Sequence, residues 1–201
     1  MTDTSTSTVD TYLVVDSPYE VTRWRPLVNW VLVIPHMIVL YGLRILAQVV
    51  FLVYWVMFIA TGRLHPGMYG IMAMHERYNT RASGFLFGFS EVYPPFDFNN
   101  DAVDNGAYPP VRLTLPPVPE VVGRGAALNI FKAIPHYIVL AIYFIAAGLV
   151  AFIGWFAVLF TGAWPQGMRR FLIQVSNYYY RVWAYTAMVQ NDYPKFGVHA
   201  A

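Results

Sequence analysis

Two long apolar runs dominate the pattern of hydrophobic and polar positions along this chain. Residues 34–60 hold a single charge, Arg44, and residues 134–160 hold none. Because about 20 helical residues cross the hydrocarbon core of a bilayer, each run predicts one transmembrane helix with length to spare for tilt. A proline stands in the first turn of each run, where a missing N–H costs little. A Thr-Gly pair follows each run and favours a helix end there.

Shorter elements precede both runs in the same order. The β-branched segments at 11–15 and 111–115 predict short extended strands outside the membrane. Short apolar helices, predicted at 23–33 and 124–133, then lead to each run. Their tryptophans and basic side chains suit the interface between lipid headgroups and water.

A helix with one polar stripe is predicted after each run, at 67–90 and 167–190. Two interpretations stay open: an amphipathic helix in the interface plane, or a second span whose stripe faces protein or a wet cavity. One span per module makes the two halves inverted relative to each other, whereas two spans make them parallel. The stripe positions are three or four residues apart and include Arg77, Arg81, Asn177 and Arg181.

The elements recur because the sequence itself repeats at a distance of 100 residues. "IPHMIVL" at 34–40 returns as "IPHYIVL" at 134–140. The repeat indicates the duplication of one module, and duplicated membrane modules often pack about a pseudo-two-fold axis. We expect the two long helices to lie side by side. Further matched positions are Glu20, Asn29, Trp55, Thr61, Gly62, Gly67, Met68, Tyr78, Arg81, Tyr93, Pro94 and Phe96 with their counterparts 100 residues later.

The sequence therefore predicts an all-α integral membrane protein with an internal tandem duplication. Each module comprises a short extended strand, an interfacial helix, one long transmembrane helix and one amphipathic helix. The predicted boundaries are a disordered N-terminus at 1–10, module one at 11–98, an acidic and solvent-exposed linker at 99–110, and module two at 111–198.

The order of these motifs resembles a bacterial family of membrane domains, the domain of unknown function 4389. The resemblance rests on "IPHxIVL", an aromatic-rich span ending in "TG", a "PxGM" restart and a closing "YPxF". It covers about 12–98 and 112–198, and "FAVLFTGAWPQGM" at 156–168 is the closer match of the two copies. The resemblance implies a multi-pass protein of the bacterial inner membrane, in a family whose domains occur singly or in tandem. It implies no established activity.

Composition also places the chain among membrane proteins. It is 57% hydrophobic and 12% charged, whereas a soluble domain carries about 25% charged residues. The net charge of +2 and the scattered basic residues argue against a nucleic-acid partner. The lack of cysteine excludes disulfides, iron–sulfur clusters and thiolate metal sites. The polar start, "MTDTSTSTVD", lacks the features of a signal peptide.

His36 and His136 are candidate functional residues because they occupy equivalent positions on the two predicted spans. Two facing imidazoles can ligate a haem b iron, which requires parallel modules that place both at one membrane depth. The alternative is structural. Each histidine then bonds a headgroup, a water or a backbone group of the preceding helix.

Arg44 lies near the middle of the first span, about 15 Å from its start at 1.5 Å per residue, with Gln48 one turn further on. A charge at this depth is costly and needs a partner. Candidate partners are a carboxylate of a neighbouring subunit, a quinone or a lipid phosphate. The alternatives are an internal pair with Glu76 or a side chain that snorkels along a tilted helix.

Arg77 is a candidate for partner or lipid binding, and Arg81 and Arg181, with Asn79 and Asn177 nearby, have two candidate roles. They form a polar core where the modules meet, or they bind lipid phosphates through the bidentate guanidinium group. Tyr178, Tyr179, Tyr180 and the six tryptophans are interpreted as anchors at the membrane interface.

No residues have the spacing of a catalytic or metal-binding motif, so we expect no enzyme activity and no metal. The first functional hypothesis is a non-catalytic accessory or scaffolding subunit of a larger bacterial membrane protein complex. Its partners are then other membrane subunits and membrane lipids, without nucleic acid. An alternative is a lipid- or small-molecule-handling membrane protein, and a second alternative is a small haem b redox protein that uses His36 and His136. Apart from bound phospholipid, no cofactor is expected.

Overall fold

The structure, a computed structural model, describes residues 12–101 and 103–198. The predicted disordered N-terminus at 1–10 lies outside the described residues. Module one contains β1 (Leu13–Val15), α1 (Arg25–Leu32), α2 (Ile34–Thr61) and α3 (Pro66–Leu86). Module two contains β2 (Val111–Leu113), a 3₁₀ helix (Arg124–Leu128), α4 (Asn129–Lys132), α5 (Ile134–Thr161) and α6 (Gln166–Thr186).

α2 and α5 confirm the two predicted long helices. Each has 28 residues, about 42 Å at 1.5 Å per residue. α2, and the segment Arg124–Thr161 that contains α5, are long and apolar enough to cross a membrane. Only 17% and 22% of their most apolar windows are buried inside the protein. Because a core helix of a soluble protein is mostly buried, this exposure favours contact with lipid or with a partner.

Both long helices end at a glycine, as predicted. Gly62 and Gly162 have φ values of 71° and 76°, a left-handed conformation that glycine adopts without a Cβ clash. Their backbone N–H groups donate to Phe58 and Val158 at 2.7 and 2.8 Å. The chain then turns back, so that α3 packs on α2 and α6 packs on α5.

α3 and α6 form the interior of the protein. Every residue of 68–86 and 171–190 is buried or half-buried. This burial corrects the interpretation of these helices as amphipathic elements with a lipid-facing side, because their apolar faces pack against protein. Both helices also end four residues before the predicted positions.

A two-stranded antiparallel sheet joins the modules, so the short strand predicted in each module forms and the two strands pair with each other. Leu13 pairs with Leu113, and Val15 with Val111. Leu13 and Leu113 are equivalent in the repeat, so a pseudo-two-fold axis passes between them. The strands lie against α3 and α6 with both leucines buried.

The short helical segments pack across the module boundary. The 3₁₀ helix lies against α2, and α1 lies against α5. Trp55 Nε1 donates to the Ala127 carbonyl at 2.9 Å, and Trp155 Nε1 donates to the Pro26 carbonyl at 3.1 Å. The C-terminal half of each long helix therefore lies beside the short helix that precedes the long helix of the other module. α2 and α5 thus run in opposite directions.

The backbones of α2 and α5 remain apart, because each long helix packs against its own return helix. This arrangement corrects the expectation that the two long helices lie side by side. The opposite directions of α2 and α5 agree with the inverted relation expected for one span per module.

The linker at 99–110 folds over α3, and most of its described residues are solvent-exposed, as predicted. Arg77 donates to the Asn99 carbonyl at 3.0 Å and also to the Asp101 carbonyl. Tyr108 is buried, and its hydroxyl donates to the Val92 carbonyl at 2.7 Å. The linker therefore covers the polar side of α3.

Candidate functional site

His36 lies in a cage of aromatic side chains at the start of α2. Its Nδ1 atom is 2.7 Å from the hydroxyl of Tyr78 on α3. Its ring stacks on Phe96 with the centroids 4.4 Å apart, and Tyr93 lies beside it at 4.9 Å. The imidazole is completely buried. The cage joins the "IPH" motif to the "YPxF" motif that closes the module.

His136 lies in an equivalent cage at the start of α5. Its Nδ1 atom is 2.8 Å from the Tyr178 hydroxyl. Phe196 stacks on the imidazole at 4.0 Å, and Tyr193 lies at 4.8 Å. The duplication thus preserved a histidine, its tyrosine partner and the two aromatic rings that cover it.

The geometry of the cages does not fit a bis-histidine haem. The two cages share no residue, and the histidines start helices that run in opposite directions. A phenylalanine stacks on each imidazole. The structural interpretation is closer, although the partner is a tyrosine hydroxyl of the return helix, not a headgroup or a backbone group. Tyr78 and Tyr178 were available as a signal, because they are among the positions matched in the repeat.

Arg81 forms a buried ion cluster with the linker. Its guanidinium group donates to Asp97 at 2.7 Å and to Asp104 at 2.9 Å. The side chains of Arg81 and Asp104 are 2% and 3% exposed. Burial by itself raises the pKa of the Asp97 carboxyl, but hydrogen bonds from Arg81 and Asn105 outweigh it, so the pKa lies below its ordinary value. The cluster fixes the linker on α3.

Asn177 and Arg181 attach other parts of the chain to α6. The Asn177 side-chain oxygen accepts from the backbone N–H groups of Tyr12 and Leu13, both at 2.8 Å. Arg181 donates to the Gly197 carbonyl at 2.9 Å. Both side chains are buried. These contacts favour the polar-core role over lipid-phosphate binding for the stripe residues.

A family model described as "Domain of unknown function (DUF4389)" matches residues 23–97 and 125–197. The two matches together cover more than half of the chain. The chain belongs to the DUF4389 family. The two matched regions agree with the tandem duplication. No curated protein matches the sequence, and no solved structure matches it.

In this DUF4389 protein, Arg44 and Gln48 lie on the exposed side of α2. The predicted internal pair of Arg44 with Glu76 does not form. Glu76 is buried, accepts a hydrogen bond from Tyr179 at 3.3 Å and lies 3.2 Å from His75. Within residues 12–101 and 103–198, Arg44 has no salt bridge.

The predicted aromatic anchors divide into two groups. Trp24 and Trp30 are 52% and 59% exposed, which suits an interface. Tyr178 and Tyr180 are buried, and Trp164 is buried with its Nε1 donating to Phe87 at 3.1 Å. These three side chains stabilise the interior of the DUF4389 tandem.

The described residues of the DUF4389 tandem, 12–101 and 103–198, contain no group of three or more His, Asp or Glu side chains arranged to hold a metal ion. The acidic residues Asp97 and Asp104 bind Arg81 instead. The polar groups of the interior thus hold the fold together. The candidate binding features that remain are the exposed face of α2 and a cavity beside α5.

Proposed function

We propose that this protein is a non-catalytic accessory subunit of a larger bacterial membrane protein complex. α2 and α5 hold it in the inner membrane, and the exposed face of α2 binds a partner subunit. Arg44 is the observation that supports this proposal most strongly. It places one charge on an exposed, otherwise apolar helix face.

The surroundings of Arg44 favour a partner that neutralises it. It is the eleventh residue of α2, and its neighbours Tyr41 and Ile45 are 71% and 47% exposed. An arginine at the centre of a membrane helix costs about 2.5–3.5 kcal/mol on insertion scales. A carboxylate on a neighbouring transmembrane helix offsets this cost, because it offers two acceptor oxygens to the guanidinium fork.

The fold itself does not require Arg44. Module two has Phe144 at the equivalent position and Gly148 at the position of Gln48, yet α5 forms the same 28-residue helix. Arg44 and Gln48 therefore distinguish the exposed face of α2 from that of α5. We expect the partner to contact α2, while α5 faces lipid.

The proposed partner is a transmembrane helix with an aspartate or a glutamate at mid-depth. Gln48 lies one turn from Arg44 and offers both a donor and an acceptor to the same helix. Tyr41 and Ile45 provide apolar contacts beside them. Membrane lipid covers the remaining apolar surface of α2 and α5.

Site-specific photocrosslinking tests this proposal. A photoreactive amino acid replaces Ile45 on α2 or, as a matched control, the equivalent Ile145 on α5, which is also exposed. Each variant is expressed at its natural level, irradiated in the membrane and purified through an affinity tag. We expect one discrete protein adduct from position 45 and only lipid adducts from position 145.

Replacement of Arg44 then tests the role of the charge. We expect Arg44→Leu to abolish the adduct at position 45 and to release the partner in mild detergent, because the partner's carboxylate loses its cation. Phe144→Leu, the equivalent change in module two, leaves both unchanged. A position-45 variant that yields only lipid adducts, or an adduct that persists in Arg44→Leu, contradicts the proposal.

A further inference from the structure

A cavity of about 760 Å³ lies between α3, α5 and α6. Its volume falls within the range of about 300–1,000 Å³ that is typical of ligand sites. Strands β1 and β2 form its inner end, and Trp30 of α1 borders it. The cavity lies outside the histidine cages and the ion cluster of Arg81.

The lining of the cavity is apolar and uncharged. The residues that line it in the described part of the chain include no Lys, Arg, His, Asp or Glu. The walls come from aliphatic and aromatic side chains such as Leu172 and Val175. A few neutral polar groups, including Asn79 and Ser83, lie among them. A buried charge here has no counter-ion, so the lining selects an uncharged, apolar occupant.

The duplication supplies a comparison within the same chain. At the equivalent position beside α2, Phe51 and Trp183 are partly buried and pack against the hydrophobic core cluster that contains Tyr54 and Phe58. The equivalent residues at the cavity are Ala151 and Ser83. Gly148 also lines the cavity, and a Cβ added to it meets nothing within 4 Å.

This asymmetry indicates what the cavity holds. A phenyl and an indole ring stand at these two positions beside α2, whereas the cavity has a methyl and a hydroxymethyl group there. Protein interiors are close-packed, and an empty volume forfeits the contacts of its lining atoms. A bound apolar molecule restores those contacts.

The mouth of the cavity meets the exposed apolar surface. Phe144 and Phe152 of α5 and Trp30 of α1 line the cavity and are 48%, 64% and 59% exposed. An occupant can therefore enter from the side that lipid covers. A molecule with a polar head keeps the head outside, since the lining offers no charged partner.

We propose that the cavity binds one long hydrocarbon chain, the acyl chain of a membrane phospholipid. The chain lies along α5 and reaches toward the two strands. This inference does not depend on the accessory-subunit proposal, because it concerns α5, α6 and α3 and not the face of α2 that carries Arg44.

Photolabelling in vesicles tests the inference. The full-length protein is reconstituted with phosphatidylethanolamine that carries a diazirine at the end of one acyl chain, irradiated and digested. A parallel sample contains a free fatty acid with the same diazirine. We expect the phospholipid to label residues that line the cavity, such as Ala147 and Ser176. Labelling by the fatty acid alone overturns the assignment to a phospholipid, because the free acid is then the source of the hydrocarbon chain.

A variant that copies the filled module provides the decisive comparison. Ala151→Phe with Ser83→Trp gives the cavity the residues of its counterpart, and we expect loss of labelling at Ala147 and Ser176. Leu149→Phe adds a similar ring on the exposed surface of α5 and keeps the labelling. Thermal unfolding of each variant shows whether it is folded.

A reverse variant keeps the test valid if the filled variant does not fold. Phe51→Ala with Trp183→Ser opens the counterpart beside α2, and we expect a second labelled site at residues of α2 and α3. Labelling of the cavity that persists in the folded Ala151→Phe, Ser83→Trp protein overturns the inference. An unlabelled cavity in the unmodified protein also overturns it.

Discussion

His36 and Tyr78 show how single residues account for the repeated motifs. A buried imidazole needs a hydrogen-bond partner, and Tyr78 supplies one from the return helix at 2.7 Å. Phe96 then covers the ring. "IPH", the tyrosine and "YPxF" thus form one contact, which holds α3 to the start of α2. The same contact in module two explains why the motifs persisted in both copies.

Removal of the tyrosine hydroxyl tests this structural role. We expect Tyr78→Phe to lower the free energy of unfolding by about 1–3 kcal/mol, because His36 remains buried without its partner. The double variant His36→Phe, Tyr78→Phe recovers part of the loss, since both polar groups are then gone. Chemical unfolding in detergent micelles measures these differences.

Tyr41→Phe is the control for the loss of a tyrosine hydroxyl. Tyr41 lies in the same module as Tyr78, but its side chain is 71% exposed. We expect it to have little effect. Equal losses in Tyr78→Phe and Tyr41→Phe contradict the role of the cage.

At the residue scale, the sequence identifies important polar residues better than it identifies the residues that they bind. His36 and His136 were evident from the repeat, but their tyrosines lie 42 residues further along the chain. The charges of Arg81 and Asp104 were visible too. Their pairing depends on the linker folding back over α3, and no local pattern reports such a long-range contact.

The long helices illustrate how one fold tolerates two different packings. Tyr54 of α2 and Trp164 after α5 are both buried. In the 100-residue repeat, Gly154 is equivalent to Tyr54, and Leu64 is equivalent to Trp164. Module one therefore places its large side chain on the helix, and module two places it on the loop. Each module keeps a close-packed junction, because the volume moves from one element to the other.

Two glycines on α5 test this packing. A Cβ on Gly154 lies 2.2 Å from the Trp164 ring, whereas a Cβ on Gly148 meets nothing within 4 Å. We expect Gly154→Ala to lower the free energy of unfolding by about 1–3 kcal/mol through overpacking. Gly148→Ala is neutral or stabilising by up to about 1 kcal/mol through helix propensity.

The two alanine variants are compared by thermal unfolding in the same detergent. A Gly154→Ala protein as stable as Gly148→Ala contradicts the close contact between α5 and Trp164.

At the element scale, the sequence predicts α2 and α5 because long apolar runs and terminal glycines are local signals. The burial of α3 and α6 was not predictable from their polar stripes. Arg77 and Asn177 are satisfied by the linker and by β1, and both contacts join segments that are distant in the sequence. The pairing of β1 with β2 depends on the same long-range arrangement.

The whole molecule combines two modules about a pseudo-two-fold axis at Leu13 and Leu113. Because α2 and α5 run in opposite directions, the start of one long helix lies at the same end of the molecule as the end of the other. Val21 donates its N–H to the Gly162 carbonyl at 2.8 Å. Gly62 lies beside Arg124 at the other end. We therefore expect these two ends to lie on opposite sides of the membrane.

Cysteine accessibility tests this inverted arrangement most directly, because the natural chain contains no cysteine. Single cysteines replace Thr22 and Gln166 at one end and Arg63 and Arg124 at the other, all exposed positions. Sealed vesicles are treated with a membrane-impermeant maleimide from outside. We expect one pair to react before lysis and the other pair only after it. Reaction of all four from the same side contradicts the arrangement, because α2 and α5 then do not cross the bilayer.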